Sequence, residues 1–232
     1  MKSFFKLIKR LIIILLVVLM IIIGVILYQG YTMYTEVINN VPIEKKVAQI
    51  KEDTDYLGLK YIPKTYQQAT IAIEDHRFYS HHGIDVFTTV RSLITNIQKK
   101  ELSNGGSTIT QQVAKNMYFS GEKKFSRKVA ELLVAFDLEK IYTKDEILEL
   151  YLNIIYFGDG YTGISEASYG YYEKNPMKLT LSEQTILAGI PNAPSVYSPT
   201  VNPELSNKRQ KQVINAMLKY KYITEDEATS IQ

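Results

Sequence analysis

From Leu11 to Tyr28 the chain reads LIIILLVVLMIIIGVILY without a charge, and at the helical rise that run is about 27 Å long, enough to cross a bilayer's hydrocarbon core. Backbone in lipid has to satisfy its own hydrogen bonds, so the run is expected to be a helix. Lys2, Lys6, Lys9 and Arg10 precede it with no acidic residue, and Tyr28, Tyr31 and Tyr34 follow as interfacial anchors. The positive-inside bias therefore predicts residues 1–10 as a cytoplasmic tail, 11–28 as a transmembrane signal-anchor helix, and all that follows as lying outside. A cleaved signal peptide opens in the same way, but this run is long and no A-x-A-like site of small residues follows it.

What lies beyond the run has no cysteine, which excludes disulfides, thiol catalysis and thiolate metal sites. With 46% hydrophobic residues and no repeat or low-complexity tract, it has the makings of one well-buried domain. The net charge of +3 is more than accounted for by the four tail cations. The remainder is therefore close to neutral, and nothing proposes nucleic acid as a partner.

Two segments carry candidate chemistry. In IAIEDHRFYSHHGID, the apolar Ile71, Ala72 and Ile73 deliver Glu74 and Asp75 to the end of an element, where a carboxylate is partly desolvated yet reaches a ligand, as a general base must. Phe78 and His81 stand beside the pair for packing and hydrogen bonding, and Gly83 permits a turn with positive φ. In GGSTITQQVAKN, Gly105 and Gly106 let backbone approach a ligand, Ser107 or Thr108 is expected to cap a helix, and Thr108 with Gln111 fits a capping box. The N–H groups of that first turn are a candidate anion site. Gln111 and Lys115, one turn apart, point into one cleft, with Gln112 and Asn116 beside them. A third segment, FSRKVAELLVAFDLEKIY, is expected to start at Ser126 as N-cap. Its Val129, Leu132, Leu133 and Phe136 form an apolar stripe, while Arg127 and Glu131 share another face with Lys128 nearby. Taken alone, Asp75 reads as a partner for a basic neighbour, and Arg127–Glu131 as a surface pair worth about 0.3–0.5 kcal/mol.

E-D-x-x-F-x-x-H-x-G from Glu74 to Gly83, G-x-S-T-I-T-Q-Q-x-x-K-N from Gly105 to Asn116, R-K-x-x-E from Arg127 to Glu131 and KDEILELYLNIIYFGDGYTGI from Lys144 to Ile164 resemble, in order, the signature motifs of the peptidoglycan glycosyltransferases. The likeness covers roughly residues 60 to 220. It implies a mainly α, lysozyme-like glycosyltransferase domain behind one N-terminal transmembrane helix, anchored in a bacterial cell membrane. It also implies inverting polymerisation of lipid II onto a growing lipid-linked glycan, with release of undecaprenyl pyrophosphate. In that scheme Glu74 is the base and Glu131 either holds the cations or binds a divalent cation, Mg or Mn. Asp75, Phe78, His81, Ser107, Thr108, Gln111, Gln112, Lys115, Asn116, Arg127 and Lys128 then serve substrate binding. No organic cofactor is called for, and cell-wall synthesis proteins are candidate partners. A lysozyme-like glycan cleaver and an inactive cell-wall scaffold are the alternatives, and the clustered cations count against both.

Residues 29–62, mixed in charge, read as a juxtamembrane linker with some helix, and 63–232 as the catalytic domain. T-x-x-E boxes at Thr143–Glu146, Thr180–Glu183 and Thr224–Glu227 announce helices, proline-rich 191–203 an extended loop, and Glu204 to about Lys221 a basic helix. Glu149, Asn153 and Lys144 read as scaffold. Gly158, Gly160 and Gly163 match G-x-G-x-x-G without a surrounding βαβ unit, so a turn is expected. Ser120–Lys123 matches S-x-x-K, but no K-T-G completes a transpeptidase site. His76, His81 and His82 have no metal-binding spacing. Val86, Phe87, Val90, Leu93, Ile94 and Ile97 make a further stripe, expected to dock on the core or to dip into the outer leaflet.

Overall fold

The computed structural model describes residues 2–90, 106–119 and 124–231. Helix α1, Lys2–Asn40, carries the apolar run and continues past it without a break. Its part from Phe4 onward is long and apolar enough to cross a membrane, with a mean hydropathy of 3.5 and no burial over its most apolar window. The stretch 29–62 is more than a tether. Gly30 of α1 is buried, and Ile43 and Val47 of α2, Ile43–Lys51, belong to the main hydrophobic core.

Helices α3, Lys64–Glu74, α4, Ile109–Tyr118, α5, Phe125–Ile141, and α6, Lys144–Ile154, follow. A two-stranded antiparallel hairpin, Tyr156–Gly158 with Tyr161–Thr162, then leads into α7, Gly163–Tyr172. Helix α8, Leu181–Gly189, the short α9, Pro194–Tyr197, α10, Pro203–Lys219, and α11, Glu225–Ile231, complete the domain. Helices α3, α8 and α10 pack together on one side, and α4 packs on α5 and α6 on the other. One core joins the two sides, with Tyr66, Phe78, Leu138, Leu148 and Tyr151 at most 1% exposed.

The caps read from the sequence form as written. Thr108, Thr143 and Thr180 each accept from the N3 backbone while the N3 side chain reaches back, and Thr224 does the same with Glu227 at 3.2 and 2.8 Å. Ser126 differs, since α5 begins one residue earlier and Ser126 is buried in its first turn. Residues 191–203 also depart from an extended loop, because a 3-10 turn at Ile190–Asn192 and α9 fold them back onto α10. Two glycines of the triplet make the hairpin turn and the third opens α7: Gly158, Gly160 and Gly163 take φ of 83°, 90° and 77°, a left-handed path that glycine follows at little cost. Of the further stripe, Val86, Phe87 and Val90 are 58%, 76% and 50% exposed, so that part is not docked on the core. Leu93, Ile94 and Ile97 lie outside the described residues, as do Gly105 and Ser120–Lys123.

Candidate active site

Glu74 ends α3 because Asp75 leaves the helical region, with φ −157° and ψ 72°. The turn after it is tied down by Asp75, whose carboxylate takes His81 Nε2 at 2.9 Å and the backbone N–H of Ile109 at 3.0 Å. A carboxylate at a helix N-terminus complements the macrodipole. Thr108 caps the same helix: its Oγ1 accepts from Gln111 N and donates to Gly83 O at 2.7 Å, where Gly83 has a φ of 73°. One expectation is thereby corrected. The first turn of α4 is not an open anion site, because the N–H groups of Ile109 and Gln111 are already taken by Asp75 and Thr108. Asp75, Phe78, His81 and Thr108, which the resemblance assigns to substrate binding, are all buried in the frame that holds Glu74 beside α4. Phe78 is fully buried under the ammonium of Lys144, which also pairs with Glu139 at 2.6 Å, so Lys144 is scaffold.

What this frame surrounds is a polar cleft of about 490 Å³. Its walls include Glu74, Ser107, Gln111, Gln112, Lys115, Lys128 and Glu131 from the residues read in the sequence. Arg127 and Asn116 are not among the lining residues, and each has a buried nitrogen, Nε and Nδ2, without a hydrogen bond. Glu131 is 1% exposed and braces two cations, Arg127 and Lys128, the latter at 3.0 Å. Lys128 also donates to Ser107 Oγ at 2.7 Å. Both oxygens of Glu131 are thus engaged by cations. The arrangement fits a brace and does not fit a divalent-cation ligand, and no cluster of three or more potential metal ligands occurs among the described residues.

Glu74 is held differently. Gln112 Nε2 donates to its Oε2 at 2.9 Å, while Oε1 is buried with no hydrogen bond and only Arg209 Nη2 at 3.6 Å. Burial pushes its carboxyl pKa up, and Gln112, Arg209 and Lys115 pull against that rise. Burial lowers the pKa of Lys115, with Arg127 and Lys128 adding to the fall and Glu131 opposing it. A carboxylate basic enough to take a proton thus shares one cleft with ammonium groups.

Several cleft residues were not among the site residues read from the sequence: Ile73, His76, Thr88, Pro191, Asn192, Arg209 and Gln212. Arg209 matters most among them. Its Nε donates to Gly189 O at 3.3 Å and its Nη1 to Gln212 Oε1 at 2.8 Å. A Cβ on Gly189 would stand 2.8 Å from Arg209 Cγ, so only glycine lets α8 approach this side chain. The available signal was an arginine on the buried stripe Ser206, Arg209, Gln210, Val213, Ile214 and Met217 of α10. A cation on the apolar face of a helix needs a partner.

The transglycosylase family profile matches residues 42–218. The chain is 43% identical over 181 residues to penicillin-binding protein 1F of Bacillus subtilis (strain 168), covering 78% of this chain and 25% of that protein. It is 49% identical over 162 residues to penicillin-binding protein 1A of Neisseria gonorrhoeae, covering 70% of this chain and 20% of that protein. A crystal structure of penicillin-binding protein 1A from Haemophilus influenzae aligns at 30% identity and a TM-score of 0.37, over 53% of this chain and 15% of that one. The chain spans a quarter or less of the length of the two curated relatives. A profile match across most of the sequence, on a mainly helical domain with a glutamate and cations in one cleft, means that the chain belongs to the transglycosylase family, the peptidoglycan glycosyltransferases.

Proposed function

We propose that this domain polymerises lipid II into linear glycan strands by one inverting displacement and releases undecaprenyl pyrophosphate. The observation that carries the reading is the shared cleft, lined by desolvated Glu74, by Lys115 and by Lys128 with its brace Glu131. The acceptor is the 4-hydroxyl of the N-acetylglucosamine of lipid II, a poor nucleophile at neutral pH. Glu74 takes its proton as the oxygen bonds to the anomeric carbon of the donor glycan. The bond from that carbon to the lipid pyrophosphate breaks, and the charge accumulating there is stabilised by Lys115 and Lys128, with Arg127 sharing the brace of Lys128. Glu131 acts as a positioning residue for those cations. Anchoring by α1, with the N-terminus in the cytoplasm and the domain outside, keeps the cleft near a substrate whose tail stays in the bilayer.

The test is to incubate the purified full chain with lipid II and, separately, with finished glycan. Polymer from the first and no change in the second is the expected result. Fragments from finished glycan point to a cleaving enzyme, no product from either points to a scaffold, and each of those results overturns the reading.

A further inference from the structure

The structure assigns to Gly30 of the membrane-spanning helix the role of a positioning residue for the cation cluster, through direct packing of α1 on α5. The inference rests on the pyrophosphate reading above. Helix α1 presents Gly30, Met33, Tyr34, Val37 and Ile38 along one buried or half-buried face, and that face lies on α5. A Cβ at Gly30 would stand 2.4 Å from Val129 Cβ and 2.7 Å from Ser126 O. The second of these is backbone, so it moves only if α5 moves. Higher up the same seam Tyr34 OH donates to Asp137 Oδ2 at 2.5 Å, and Leu133 and Phe136 line a cavity with Tyr31 and Tyr34. The apolar stripe of α5 therefore seats the anchor helix, and it is not turned to the core.

Ser126 and Val129 flank Arg127 and Lys128 directly, and Glu131 lies two residues on. One short helix thus carries the seat of α1 on one face and, on another, the groups that brace the cleft. A helix transmits displacement as a rigid body, and misplacement of catalytic groups by about 1 Å costs up to about 10²-fold in rate. Glycine at position 30 lets α1 approach closely enough to set where Arg127 and Lys128 meet the leaving group. Gly24, six residues earlier on the same helix by subtraction, has nothing within 4 Å of its Cβ position and is the internal control.

The experiment uses the full chain in nanodiscs. Wild type, Gly30→Ala, Gly30→Leu and Gly24→Leu are titrated calorimetrically with farnesyl pyrophosphate, a short polyprenyl pyrophosphate, and then assayed on lipid II. The expected result is a Kd raised at least threefold for Gly30→Ala, and more for Gly30→Leu, with binding stoichiometry unchanged and kcat falling further than KM rises. Gly24→Leu matches wild type in both assays. Partial unfolding would lower the stoichiometry and leave Kd alone, so that outcome overturns the positioning role, as does a wild-type Kd in both Gly30 variants. A wild type that polymerises lipid II but does not bind the probe overturns the pyrophosphate reading, and the inference with it. Loss of Gly30→Leu to misfolding leaves the decision with Gly30→Ala.

Discussion

Glu74 and Glu149 are both carboxylates held against the core, and the fold treats them in opposite ways. Glu149 Oε1 accepts from Tyr56 OH at 2.8 Å, its Oε2 accepts from Leu59 N at 2.8 Å, and Lys51 stands 3.4 Å away. One turn on, Asn153 clamps Leu57 through both its N–H and its carbonyl. That pair pins the segment after α2 onto α6, and every polar atom in it is used. Glu74 keeps one buried oxygen without a hydrogen bond, on the wall of the cleft. Buried polar groups are ordinarily satisfied, so a carboxylate oxygen left without a partner beside a cleft has capacity to accept from a ligand. The comparison separates the two carboxylates by their partners: Glu149, in the middle of α6, has both oxygens bonded, whereas Glu74, at the end of α3, has only one.

The largest expected effect tests that separation directly. Glu74→Gln should lower polymerisation by about 10²–10⁴-fold, the range for a lost general base, while farnesyl pyrophosphate still binds. More than a tenth of wild-type turnover would remove Glu74 from the mechanism. The same variant should melt no lower than wild type at neutral pH, and the sign follows from its shift. Burial raises the folded-state pKa of Glu74, so the native state holds more protons than the unfolded chain between the ordinary glutamate range and that raised value. Stability therefore falls as pH rises through this window, and a neutral amide removes the cost.

Next in size, Glu131→Gln should cost on the order of 10²-fold in turnover by releasing Arg127 and Lys128 from their shared brace. Wild-type kinetics in this variant would leave Glu131 with no positioning role. Smaller again is a shift in pH dependence. With the base raised and Lys115 lowered, the acid limb of kcat lies above the ordinary glutamate range and the alkaline limb below the ordinary lysine range. Lys115→Arg should carry the alkaline limb to higher pH and leave the acid limb in place, and a profile with both limbs unmoved would detach Lys115 from catalysis. The smallest effect on turnover belongs to the other carboxylate. Glu149→Ala strands the Tyr56 hydroxyl and the Leu59 N–H, so it should cost about 1–3 kcal/mol of stability with kcat per folded molecule unchanged. A large fall in kcat at unchanged melting temperature would erase the distinction between the two glutamates.

Much of the architecture was legible because its signals are local. The three T-x-x-E boxes and Thr108–Gln111 each need only four residues to satisfy a helix end, and all four form. The reading failed where a longer-range partner intervened. Ser126 looked like a cap, but burial drew it into the first turn of α5. The anion site expected at the start of α4 was filled by Asp75, reaching across 34 positions of sequence. Arg209 went unnoticed because its charge is partnered by α3 and α8, neither of which is near it in the chain.

By itself, then, the sequence determined the membrane-length apolar helix, the order of the helices and seven of the residues that line the cleft. These follow from hydrophobic run length, capping chemistry and motif order, which are properties of neighbouring residues. Only the tertiary structure decided which carboxylate is left hungry and which cations face it. It also decided that the anchor helix packs on α5 at Gly30. Desolvation, ion pairing and close helix approach depend on what distant segments bring to the same place. No window along the chain contains that information.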